Sequence, residues 1–149
     1  MAKIEKVYDK LKIILEKDNR YVINAYQFVF EALSYTAKYL GKDVDSANEE
    51  ERHIDGRQLL EGIRKYALDE YGFMTLTVFN IWGIKSDTDF GEIVFNLVEN
   101  GLMGKTGKDS RDDFKNVYDF HQVFNDDFKF ENTFDIKMEW DFAGKVKIK

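Results

Sequence analysis

The sequence predicts a mainly helical α+β single domain, five to six helices followed by a C-terminal antiparallel β-hairpin or three-strand meander. Three observations predict it. Apolar residues recur at helical spacing from the start of the chain to about Phe124. After residue 126 the period switches to two. Proline is absent, so the helix ends must be marked by glycines and polar caps, and such marks stand where the periodic segments begin and end.

Taken in order, Ile4, Val7, Tyr8, Leu11, Ile14 and Leu15 give an amphipathic helix over residues 3–17. "DNRY" interrupts it. Residues 21–40 form a second helix carrying Val22, Ala25, Tyr26, Val29, Leu33, Ala37 and Leu40, with Tyr21, Phe28, Tyr35 and Tyr39 on a further face. Apolar over much of its circumference, it is expected to be central, and Gly41 stops it. An acidic loop follows. Asp55 and Gln58 form a capping box, with Ile54 and Leu59 as hydrophobic staple, for a helix running to about Tyr71. A short helix spans about Phe73 to Trp82 and ends at Gly83. Ser86 with Asp89 caps the next helix, and Ser110 with Asp113 caps one expected to reach Phe124.

In the last segment Phe128, Phe130, Phe134, Ile136, Met138, Trp140, Phe142, Val146 and Ile148 occupy even positions, and most odd positions are charged. A three-residue loop at Gly144 would pair Phe142 with Val146 and Trp140 with Ile148 and keep one face apolar. The division is therefore a helical part, 1–125, and a C-terminal hairpin or meander, 126–149, packed on it or on a partner chain.

Composition bounds the function. Hydrophobic residues at 44% and charged ones at 34% describe a soluble globular chain. No apolar run approaches the ~20 residues of a membrane span, and the first residues lack a signal-peptide core, so a cytoplasmic setting is expected. Zero cysteine excludes disulfides and thiolate chemistry. A net charge of −6 argues against a general nucleic-acid binder, which needs a cationic surplus.

The motifs that suggest chemistry weaken on inspection. Gly104-Lys105-Thr106 ends like a phosphate loop, but Glu99 stands where the first glycine should be, and the tripeptide follows a helix C-terminus rather than opening a helix. Glu50 and His53 have the Glu-x-x-His spacing of one half of a di-iron site, without a second half. The "DVDSANEEE" run lacks the glycine and final acid of a calcium loop. Neither a metal nor a cofactor is expected.

The leading expectation is a non-enzymatic protein–protein interaction or regulatory protein. It would self-associate as a homodimer through the C-terminal strands or an exposed helical face. Lys105, Lys108, Trp140 and Phe142 are its candidate contact residues, the two lysines being expected to meet only water. The alternative is a small enzyme with an acid–base site built from His53, Asp55, Arg57, Arg111 and Asp112, provided the two segments meet in one concavity. A third reading is a winged-helix-like nucleic-acid binder using Lys105 and Lys108.

Two resemblances accompany these readings. The helix ending at Trp82, the turn at Gly83 and "VFNLVENGLMGKTGKDSRDD" resemble winged helix-turn-helix domains around residues 73–110, with Leu97 to Leu102 in an L-x-x-x-G-L pattern. From Asp87 to Asn100, however, there is no Lys or Arg to read a base edge, so such a geometry would suit a protein partner. "RYVINAYQFVFEALSYT", "RHIDGRQLLEGIRKYAL", "TDFGEIVFNLVENGLMGKT" and "DSRDDFKNVYDF" resemble a small conserved bacterial family of unassigned function. That resemblance implies a bacterial soluble protein and brings no reaction or ligand.

Overall fold

A computed structural model of the chain describes residues 2–42, 47–48, 52–104, 110–126, 138–140 and 146–148. Among them five α-helices form the body: α1 (Ala2–Lys17), α2 (Ile23–Leu40), α3 (Gly56–Tyr71), α4 (Thr75–Trp82) and α5 (Asp87–Glu99). A 3₁₀ turn, Gly72–Met74, joins α3 to α4. Another, Arg111–Phe114, follows α5, and a π-helical turn spans Gln122–Asp126.

The α+β class is wrong for this fold. Among the described residues the core is built by helices, helical turns and the short connections between them. Among the described residues strand pairing is limited to two three-residue strands, β1 (Met138–Trp140) and β2 (Val146–Ile148), and no sheet layer forms. The expected register fails too: Trp140 faces Val146 and Met138 faces Ile148. Five residues therefore separate the strands. Period-2 sequence fixes which residues share a face but not how long the turn is, and this shift by two preserves the face. Phe142, Lys105 and Lys108 lie outside the described residues, as does Glu50 of the Glu-x-x-His pair.

Helix α2 is central. Ala25, Tyr26, Phe28, Val29, Ala32, Thr36 and Ala37 are buried along it, and it packs against α3, α4 and α5. Against α3 the approach is very close. A Cβ at Gly62 would overlap Thr36 Oγ1 and stand 2.8 Å from Thr36 Cβ. Thr36 turns its hydroxyl back to the Ala32 carbonyl at 2.6 Å, so the buried oxygen is satisfied within its own helix.

Rings fill the space around α2. Phe28 has its ring centre 5.5 Å from Tyr66, 5.3 Å from Trp82 and 5.6 Å from Phe79. Phe79 in turn meets Phe90 at 5.2 Å, Phe124 at 5.3 Å and Phe120 at 5.7 Å. One cluster thus ties α2, α3, α4, α5 and the 120–124 turn together.

The caps form as the sequence indicates: boxes at Asp55/Gln58, Ser86/Asp89 and Ser110/Asp113, and left-handed glycines at Gly41 and Gly83. Gly83 does more than end α4. A Cβ there would collide with the Arg20 carbonyl, so the α1–α2 turn sits directly on the α4–α5 turn.

The helix expected from Ser110 to Phe124 does not form. Its first turn closes as 3₁₀, Lys115 is extended, and Asn116 adopts φ 54°. The cause is Asp87. Buried to 5% exposure at the start of α5, its carboxylate accepts the Val117 N–H at 2.7 Å and the Tyr118 N–H at 3.3 Å. Tyr118 then donates its hydroxyl to the Leu60 carbonyl at 2.9 Å. Those amides cannot also serve a helix.

The Gly62–Thr36 crossing yields a prediction. Gly62→Ala lowers stability by about 1–3 kcal/mol through overpacking, measured by urea denaturation. Adding Thr36→Ala recovers part of the loss. An unchanged stability for the single variant would contradict the crossing.

Candidate functional site

The two segments of the acid–base alternative do adjoin. Phe114 is the wedge between them: a Cβ on Gly56 would stand 2.8 Å from its ring, and a Cβ on Gly91 would stand 2.8 Å from its Cβ. The helix start beyond His53 and the 110–114 turn are therefore packed together by glycines that leave room for one ring.

Their polar side chains have separate tasks. Asp55 is exposed and accepts the Gln58 N–H at 2.8 Å, while Gln58 accepts the Asp55 N–H at 3.0 Å. Arg57 is exposed and His53 half-buried. Arg111 reaches Glu99 at 3.3 Å and lies 5.1 Å from the Phe95 ring centre. Asp112 pairs with Lys115 at 3.1 Å, and Asp113 closes the cap on the Ser110 N–H at 3.1 Å. The proximity is one of packing: caps and exposed ion pairs surround an apolar wedge. Of the candidate contact residues, Trp140 falls within β1. Among the described residues no three His, Asp or Glu side chains converge as a metal site would require.

The densest polar constellation lies elsewhere, where sequence reasoning saw only an interruption. Asp18 and Arg20, in the α1–α2 turn, form a two-pronged pair: Arg20 Nε at 2.9 Å from one carboxylate oxygen and Nη2 at 2.6 Å from the other. Asn96 donates its side-chain amide to Asp18 at 3.0 Å, and that amide also lies 3.0 Å from the Tyr26 hydroxyl. Arg20 extends to Glu92 at 3.4 Å. Tyr21, buried beside it, donates to Asp89, whose other oxygen accepts the Lys85 and Ser86 N–H groups at 2.8 and 3.2 Å. The chain thereby staples the end of α1 and the start of α2 to α5.

Its electrostatics follow from burial and pairing. The Arg20 hydrogen bonds hold the Asp18 carboxyl well below the usual carboxylate range; desolvation opposes them, and the Asn96 amide supports them. Burial pushes the Tyr21 phenol up, with the Asp89 hydrogen bond adding to it. Burial also raises Tyr26, against a lowering contribution from Asn96. These shifts favour fixed charge states near neutrality: an ionised carboxylate and neutral phenols. A group poised to exchange protons would lie near neutral pH instead. One signal in the sequence could have marked the staple: Asn96 is the single polar side chain in "IVFNLV", where its neighbours are core residues.

Two predictions follow from this staple. Because the folded pKa of Asp18 lies below its ordinary 3.8, its stabilisation is present above that value and is lost as pH falls below it. Asp18→Asn therefore flattens the acid limb of the stability–pH curve below about pH 4, measured by denaturation at a series of pH values. At the alkaline end, Tyr21, Tyr26 and Tyr118, the last raised by burial, bind their protons more tightly folded than unfolded. Stability falls as pH rises above about 10, and absorbance at phenolate wavelengths shows these three ionising together with unfolding.

Comparison with protein-family models, with curated protein sequences and with solved structures returns no match to this chain.

Proposed function

We propose that the protein is a non-enzymatic interaction protein that associates with a second copy of itself through α1. The observation that carries this reading is a stripe on α1 that is buried at one end and bare at the other. Leu11 and Ile14 enter the core. Val7 and Tyr8, one turn earlier on the same stripe, are 38% and 50% exposed. Amphipathic helices place such residues against another surface.

Charge selects the occupant. Helix α1 carries five lysines against three acids, in a chain whose net charge is −6. The rest of the chain is correspondingly acidic, with Glu31, Glu61, Asp69 and Glu70 exposed on α2 and α3. A basic apolar arm on one copy and an acidic helical body on the other are complementary, and a two-fold axis makes the exchange reciprocal. The non-enzymatic part of the reading is supported by the caps and ion pairs that occupy Asp55, Arg111 and Asp112. A cytoplasmic setting accords with a chain that has no cysteine to oxidise. Among the described residues no helix is long and apolar enough to cross a membrane. Kinship with the bacterial family that the four quoted segments resemble belongs to the same proposal.

Sedimentation equilibrium checks it. The wild-type chain is expected to show a concentration-dependent monomer–dimer equilibrium that weakens with salt. Tyr8→Glu is expected to weaken it about tenfold or more, by burying a charge without a partner. A strictly monomeric wild type at every concentration would contradict the proposal.

A further inference from the structure

The end of α5 carries a dipeptide with chemistry of its own. Asn100-Gly101 is the one Asn-Gly pair in the chain. An asparagine followed by glycine can react with its own backbone. The glycine nitrogen, losing its proton to hydroxide, adds to the side-chain carbonyl carbon Cγ, and a cyclic imide closes as ammonia leaves. Water then opens the imide at either carbonyl and gives aspartate or isoaspartate. No oxidant, metal or other reactant is needed. Glycine favours the step because no Cβ shields the attacking nitrogen or restricts its approach.

The fold holds both reacting groups off this path. Helix α5 closes in a Schellman motif: Gly101, at φ 72°, donates its N–H to the Val98 carbonyl at 3.1 Å, and Leu102 donates to the Leu97 carbonyl at 2.9 Å. The attacking nitrogen is therefore engaged. The Asn100 side-chain amide is held as well, donating to the Asn96 carbonyl at 2.8 Å. Backbone geometry adds a further restraint. With Asn100 at ψ 11°, the Gly101 nitrogen nearly eclipses the Asn100 nitrogen, and so stands roughly a third of a turn from Cβ about the Cα–C bond. The imide ring requires it on the Cβ side. Leu102 packs against the core and closes the turn, while Gly101 is exposed.

We propose that Asn100-Gly101 is a self-modification site gated by the last turn of α5, silent while the turn is closed and converted to aspartate or isoaspartate when it opens. The glycine that supplies the left-handed stop also supplies the unshielded nitrogen, so the stop and the reactivity come together. The product does not restore the turn. Its carboxylate has no N–H for the Asn96 carbonyl, and it adds negative charge beside Glu99 at the negative end of the helix. An isoaspartate also lengthens the backbone, which puts the Schellman bonds out of register.

Peptide mapping by mass spectrometry, on the full-length protein aged in mildly alkaline buffer, tests this. In the urea-unfolded chain Asn100 is expected to convert at the rate of a short peptide of residues 97–103. In the folded chain conversion is expected to be at least about tenfold slower. Leu102→Ala, which loosens the turn and leaves the reacting pair intact, is expected to speed conversion in the folded state without changing the unfolded rate. Urea below the unfolding transition is expected to do the same for the wild-type chain. Equal rates in folded and unfolded chains, or an unfolded chain that does not convert at Asn100, would overturn the proposal. So would a folded rate that responds neither to Leu102→Ala nor to urea.

Discussion

The structure depends on one aromatic contact, Phe79 against Phe28 and Phe90. All three side chains are almost fully buried, and their centres lie 5.2–6.2 Å apart. Each is on a different helix: Phe28 on α2, Phe79 on α4 and Phe90 on α5. Rings at this spacing prefer edge-to-face or offset contacts, and two of these pairs are close to perpendicular. The contact therefore fixes orientation as well as distance. Phe120 and Phe124 pack against the same hub, which draws the irregular 115–126 segment onto the helices. Truncating such a ring typically costs about 3–5 kcal/mol, a large share of the ~5–15 kcal/mol by which a domain of this size is stable.

Around the hub, polar residues act as geometry rather than chemistry. Asp87 holds the 117–118 backbone by accepting two of its amides, and Asp18 pins the α1–α2 turn to α5. Asp55, Ser86 and Ser110 set helix starts. Asp18, Arg20, Tyr21 and Tyr26 are driven away from neutrality, so they serve as fixed partners at physiological pH. Among the described residues, Val7 and Tyr8 of α1 and Ile81 of α4 are exposed apolar side chains.

Much of this was legible in the sequence because it is local. Capping boxes, glycine stops and the all-round apolarity of α2 depend on residues within a few positions of one another. Helix α2 starts at Ile23 rather than residue 21 because Val22 is extended and turns its N–H to the Trp82 carbonyl across the molecule. The missing helix after Phe114 and the Asp18–Asn96 staple have the same origin: a carboxylate meets its partner 30 and 78 residues away. The β-hairpin expectation misjudged class for a related reason. Period-2 patterning reports two-faced segments but carries no information on whether they build a layer of the fold. Of the acid–base alternative only the adjacency of its two segments is visible, and the contact that Phe114 makes with Gly56 is apolar.

Native-state hydrogen exchange tests most directly whether the ring cluster makes one cooperative unit of these helices. If it does, the slowest amides of α2, α3 and α5, together with that of Phe124, will exchange with a single opening free energy equal to that of global unfolding, while the first turns of α1 exchange with a lower one. Exchange of the 118–126 segment in a separate, less stable class from α2 and α5 would contradict the account.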